Sequence, residues 1–343
     1  MDVGRQPRLR LAELITPLSL ATDLGMGQPM EQALRTCLLS MALGRRIGLA
    51  DDTLSDTYYL ALLRFIGCTA DAHEEAIGVG GDEIAYRGGL APILMGEMPE
   101  LLGYHLRHFA EDNPPLARMR LLGGALMAGS RAAKQSIAIH CEVAQMLAER
   151  IGLRPAIGQG VGHVFERWDG KGLPGEMAGE AIPIVVRVVA IARDVDVLNR
   201  TGGWAFVVER LRRRRAKAYD PALVDALLAD GAGWIADLEA VSIWEAVLAA
   251  EPGLPITVPQ ARVDTVLSAF ADFVDIKSPY TIGHSSGVAT LAERAARISG
   301  MAAPEVVDIR HAALVHDLGR AGVPNSVWDR PGPLTTADWE RVR

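Results

Sequence analysis

Apolar residues recur at three- and four-residue spacing through 8–65, 116–153, 204–250 and 261–343, which predicts amphipathic helices over most of the chain. Alternating apolar and polar positions, the mark of a half-buried strand, are scarce. The densest β-branched run, 182–191 (IPIVVRVVAI), continues through Ala192 into Asp194-Val195-Asp196-Val197-Leu198 and reads as one buried helix. The predicted fold class is all-α. The pattern breaks at 251–260 (EPGLPITVPQ), where Pro252, Pro255 and Pro259 forbid a continuous helix and favour an extended linker. Two regions result, 1–250 and 261–343, which the pattern allows to be partial repeats of each other. Inside the first, 78–89 (GVGGDEIAYRGG) is expected to form a flexible loop.

Composition narrows the function classes. The 343 residues are 49% hydrophobic and 22% charged, as in a soluble globular protein. A net charge of -7 gives no positive field to draw in nucleic acid. Cys37, Cys68 and Cys141 form no CxxC pair, so neither a disulfide framework nor a cysteine zinc site is expected, and a reducing cytoplasm fits. No secretory signal is visible. The longest apolar stretch, 181–192, carries Pro183 and Arg187 and is too short for the ~20 residues of a membrane span. One basic cluster stands out, Arg210, Arg212, Arg213, Arg214, Arg215 and Lys217. It is expected to be a solvated helix face, with a phosphate contact or a salt-bridged interface as alternatives. No aromatic residue interleaves it, so stacking on single strands is not supported.

The chemistry concentrates near the C-terminus. His284 shares a helical stripe with Val288, Leu291, Ala295 and Ile298, and His316 shares one with Val306, Ile309 and Ala313. Both stripes are expected to face the core, where the histidines would converge. Asp317 follows His316, and an aspartate is seldom buried unless it is paired or bound to a cation. Imidazole nitrogen with carboxylate oxygen suits Zn, Mn or Fe. The plainer alternative is a pair of core histidines bonded to carbonyls.

Gly283-His284-Ser285, followed by 311–340 (HAALVHDLGRAGVPNSVWDRPGPLTTADWE), resembles the first half of an HD-GYP domain, the cyclic dinucleotide phosphodiesterase branch of the HD metal-dependent phosphohydrolases. Upstream, 166–183 (ERWDGKGLPGEMAGEAIP) resembles the loop of that domain's second half, with Gly172-Leu173-Pro174 in place of Gly-Tyr-Pro. The resemblance implies HD-type helical bundles: a divergent first module over 1–250, and the N-terminal half of a second over 261–343. It also implies a phosphodiesterase-like phosphohydrolase acting on a cyclic dinucleotide or another phosphoester, with a divalent Mn, Fe or Zn ion. On this resemblance His284, His316 and Asp317 are metal ligands. Asp317 and Arg320 are catalytic, Arg320 standing where the family usually has lysine.

In the first module the matching ligand positions fall on Gln28, Arg64-Phe65, Val164-Phe165 and Arg193, with His140 alone retained, so no catalytic metal is expected there. Three ligands in the second are fewer than a two-metal centre needs, which implies partial occupancy. The competing reading is a non-catalytic regulatory module that binds a nucleotide or a partner protein. Half a bundle is expected to dock on the first region or to pair with a second chain as a homodimer. In the upstream loop, Gly170, Gly172 and Pro174 are expected to set the turn, Asp169 to cap it and Trp168 to pack on the core. Lys171 is expected to be exposed, and the loop to be structural or phosphate-facing.

Overall fold

Helices follow one another through the first region as α1 (Leu11–Gly25), α2 (Gln32–Arg46), α3 (Asp51–Leu63), α4 (Ala72–Val79), α5 (Glu83–Leu90) and α6 (Met98–His108). They continue as α7 (Pro115–Ile151), α8 (Pro155–Val161), α9 (Ile184–Arg214), α10 (Pro221–Glu239) and α11 (Ile243–Ala250). The second region adds α12 (Gln260–Asp275), α13 (His284–Ile298), α14 (Ala303–Val315), α15 (Asn325–Trp328) and α16 (Thr336–Val342). The computed structural model describes residues 9–94, 97–111 and 113–342, without the side chains of 126, 128 and 130–133. Residues 1–8 and Arg343, which the two expected regions include, lie outside it. Among the described residues there is no β-sheet, and no helix is long and apolar enough to cross a membrane. The fold is all-α, as the periodicity predicts.

One apolar core runs through both regions. Leu34, Tyr58 and Leu60 from α2 and α3 meet Val188 and Ile191 of α9, and the same cluster reaches Phe270 and Phe273 of α12. The run 182–191 is indeed the buried start of α9, which kinks at Gly203, where φ is 73°. Gly67 is needed for packing rather than for a turn: a Cβ there would collide with the His140 carbonyl of α7.

The two regions begin with the same three helices. The hairpin α2–α3 covers 32–46 and 51–63, and α13–α14 covers 284–298 and 303–315, equal in both helices and in the connection between them. Each hairpin starts from a left-handed N-cap, Glu31 at φ 74° and Gly283 at φ 76°. Each is also tied to the preceding helix by a buried carboxylate. Asp23 accepts the Ala33 amide at 3.1 Å, and Asp275 accepts the Ser285 amide at 2.8 Å. The repeat is in register residue for residue.

Several expectations need correction. Residues 78–89 are not a flexible loop but the end of α4, a turn at 80–82 and most of α5: Gly80 ends α4 in the left-handed region, and the Asp82 side chain caps α5 by accepting the Ala85 amide. Glycine marked a helix boundary there, not disorder. Residues 251–259 are non-helical, as the prolines require, but they are anchored: Leu11 N–H donates to Ile256 O and Val258 N–H to Leu9 O. The arginine run is not a bare solvated face. Arg210 and Arg213 donate to Glu100, and Arg215 pairs with Asp225 at 2.7 Å. Arg214 is buried and donates to the Tyr219 hydroxyl. The salt-bridged alternative holds.

Candidate metal centre

His284 is the first residue of α13, and His316-Asp317 follows the last turn of α14, so the antiparallel hairpin brings the three together. The imidazole rings stand 5.5 Å apart between centroids. Asp317 lies between them, with Oδ2 at 3.4 Å from His284 Nε2 and Oδ1 at 3.3 Å from His316 Nε2. One donor atom from each residue fits within a 4.8 Å span. Two donors at about 2.1 Å from one ion, at a tetrahedral angle, lie about 3.4 Å apart. Each histidine–aspartate spacing is thus close to that of two donors on one divalent ion. His316 Nδ1 sits 2.8 Å from the Ala313 carbonyl, which fixes the ring and leaves Nε2 for the shared space.

The convergence matches the sequence pattern, but its setting does not. Neither histidine faces the core. Leu291 is 69% exposed and Ile298 78%, because α13 buries the opposite face through Ser285, Ala289 and Ala296. The ligand cluster thus lies at the protein surface. Arg320 reaches it from the following turn, with Nη1 3.6 Å from Asp317 Oδ2 and its guanidinium 4.5 Å from the Trp328 ring centre.

In the first region the repeat register places Gln32 on the His284 position, and Arg64-Phe65 on His316-Asp317. The match of Gln28 to the histidine is therefore wrong by four residues: Gly27-Gln28 imitates Gly-His in sequence, but the helix starts later, behind Glu31. Arg64, Phe65, His140, Val164, Phe165 and Arg193 all line one cavity of about 250 Å³. Arg64 lies 5.1 Å from the centre of the Phe65 ring and 5.7 Å from that of Phe165. At the positions that match His316-Asp317 a guanidinium and a phenyl ring stand instead, neither of which ligates a divalent ion.

The 166–183 loop is a turn with its own hydrogen bonds. Asp169 Oδ1 accepts the Lys171 amide at 3.1 Å, and both its oxygens accept from Arg167. Gly170 takes φ 72°, and a Cβ on Gly172 would come 2.5 Å from the Arg167 nitrogen. Lys171 is exposed, as expected. Trp168 does not enter the core; it is half-buried beneath Arg187, 5.7 Å from its ring centre, and Arg187 pairs in turn with Asp220. Sequence reasoning missed Glu166, whose Oε1 accepts the amides of Gly175, Glu176 and Met177 and ties the loop closed. It also missed the junction of the two regions. Buried Lys277 donates to Glu83 of α5 at 3.0 Å and to the Val323 carbonyl and Asn325.

Comparisons with known proteins bear on the family of the chain. The HD domain family model matches residues 125–223. The chain is 28% identical over 338 residues to the 3'3'-cGAMP-specific phosphodiesterase 3 of Vibrio cholerae serotype O1, covering 97% of this chain and 73% of that protein. Over 69 residues it is 39% identical to a cyclic di-GMP phosphodiesterase response regulator of Xanthomonas campestris pv. campestris, covering 18% of each. A crystal structure of a cyclic GMP-AMP specific phosphodiesterase of V. cholerae superposes with a TM-score of 0.71 at 26% identity, over 98% of this chain and 77% of that one.

Proposed function

We propose that this chain, which belongs to the HD-superfamily phosphodiesterases, hydrolyses a cyclic dinucleotide or a related phosphodiester with a divalent ion held by His284, His316 and Asp317. The observation that carries this is the convergence of the three donors within 4.8 Å from two different helices. Phosphodiesterases of this superfamily are generally dependent on divalent metal; Mn, Fe or Zn at partial occupancy is the proposal for this chain, from its mixed nitrogen and oxygen donors. Such an ion supplies Lewis-acid stabilisation of charge on phosphoryl oxygens. Asp317 orients both imidazoles, and Arg320 presents a fixed positive charge to a phosphate entering beside them. The preference for a cyclic dinucleotide rests on the similarity to the V. cholerae phosphodiesterases.

Metal analysis of the purified chain, with hydrolysis of bis-p-nitrophenyl phosphate and of 3'3'-cGAMP under added Mn or Fe, tests this. Bound metal and turnover are both expected to disappear in His316→Ala/Asp317→Ala. Absence of turnover at any metal would sink the catalytic reading and favour a regulatory module binding a nucleotide or partner protein, a reading supported by Gln32, Arg64 and Phe65 at the first region's ligand positions. The division into a divergent module over 1–250, a linker and a second partial module over 261–343 belongs to the same proposal. So do a cytoplasmic setting, suited to the free thiols of Cys37 and Cys68, and pairing of two chains through exposed Ile282, Leu291 and Ile298. Analytical ultracentrifugation reads the pairing.

A further inference from the structure

The first-region cavity holds a buried cation with nothing to bind. Arg64 is only 8% exposed, yet its Nε and Nη1 are buried without a hydrogen-bond partner. An unsatisfied buried donor is costly, and a charged one more so. The other charged groups lining the cavity are engaged. Arg87 pairs with Glu75 and Asp71, and Arg167 with Asp169. Arg193 donates to Asp194 and to the Ala91 carbonyl, and Asp194 also accepts from the Tyr219 hydroxyl. His140 lies 2.5 Å from Asp71. Three further cavity-lining atoms are buried without a partner: Arg193 Nε, His140 Nδ1 and Glu166 Oε2, the oxygen that the loop amides do not use. At about 250 Å³ the space far exceeds what one water requires. Its remaining walls are apolar, including Ile93, Leu94, Ile137 and Phe165.

We infer that this cavity is a binding site for an organic phosphate of the nucleotide class, with Arg64 taking the phosphate and Glu166 Oε2 accepting from a hydroxyl or amino group of the same ligand. The bare Arg64 and Arg193 donors call for an anionic group and Glu166 Oε2 calls for a donor, and nucleotides carry both beside an apolar ring. Guanidinium suits phosphate, and the Phe65 and Phe165 rings hold its plane in place. The electrostatics agree with the geometry: burial, and then the neighbouring charge of Arg193, push Arg64 down to about 10. The site sits where the repeat puts the metal ligands of the second region, and it does not depend on whether that region is catalytic.

Calorimetric titration of the full chain with inorganic phosphate, AMP and GMP, in chelator to keep metal out of the second region, tests the assignment. Saturable binding of a nucleotide, tighter than inorganic phosphate, is expected. It should weaken at least tenfold in Arg64→Gln and persist in His316→Ala/Asp317→Ala. Ala190→Phe, which fills the cavity from α9 and leaves Arg64 and Glu166 unsubstituted, should abolish it. That variant also decides the matter if Arg64→Gln fails to fold. No saturable binding at millimolar ligand, or binding indifferent to Arg64→Gln or Ala190→Phe, would overturn the site. Binding of inorganic phosphate with no gain from the nucleoside would overturn the nucleotide class.

Discussion

At the end of α3 the chain reads Arg64-Phe65, and at the matching end of α14 it reads His316-Asp317. The backbone that presents them is the same, down to the left-handed N-cap and the buried aspartate that anchors each hairpin. One end closes on a cavity with an unpaired cation; the other opens at the surface with two imidazoles around a carboxylate. The fold fixes where a site can stand, and side-chain identity sets the charge that the site presents.

The largest expected effect concerns what joins the two regions. Lys277→Met leaves the Glu83 carboxylate buried without its cation and should cost about 3–5 kcal/mol in urea denaturation. Glu83→Gln added to it should recover much of that loss. A cost below about 1 kcal/mol would mean that the regions are not locked by this pair.

Unequal effects should follow at the two helix ends. Arg64→Leu, in buffer without phosphate or nucleotide, removes an unsatisfied buried charge and should stabilise by about 1–3 kcal/mol. His316→Ala in chelator removes a partly exposed ring and should stay within about 0.5 kcal/mol. Destabilisation by Arg64→Leu would break the contrast, because it would reveal a partner for that cation. The smallest effects belong to the loop. Asp169→Ala should cost about 1 kcal/mol through its lost contacts to Arg167 and Lys171, whereas Lys171→Ala should leave the melting temperature unchanged.

Much of this was legible along the chain because it is local. Helical periodicity, the proline break at 251–260, the Asp-Gly turn after Trp168 and the adjacent His316-Asp317 each depend on neighbours within a few residues. Gln28 was misplaced because a short Gly-Gln pair imitates the motif, whereas the true register is set by Asp23 reaching the Ala33 amide. The stripe of His284, Leu291 and Ile298 has helical spacing but faces solvent, since periodicity gives a face and not the partner that covers it.

The sequence by itself determined the all-α class, the order of the helices and the identity of the chemical groups at each helix end. Tertiary structure alone decided which of those groups meet: Lys277 with Glu83, Glu166 with the amides of its own loop, and Arg64 with a cavity where two of its nitrogens find no hydrogen-bond partner. The physical reason is that charge pairing and burial depend on distances across the fold, between residues far apart in the chain, which local spacing does not encode.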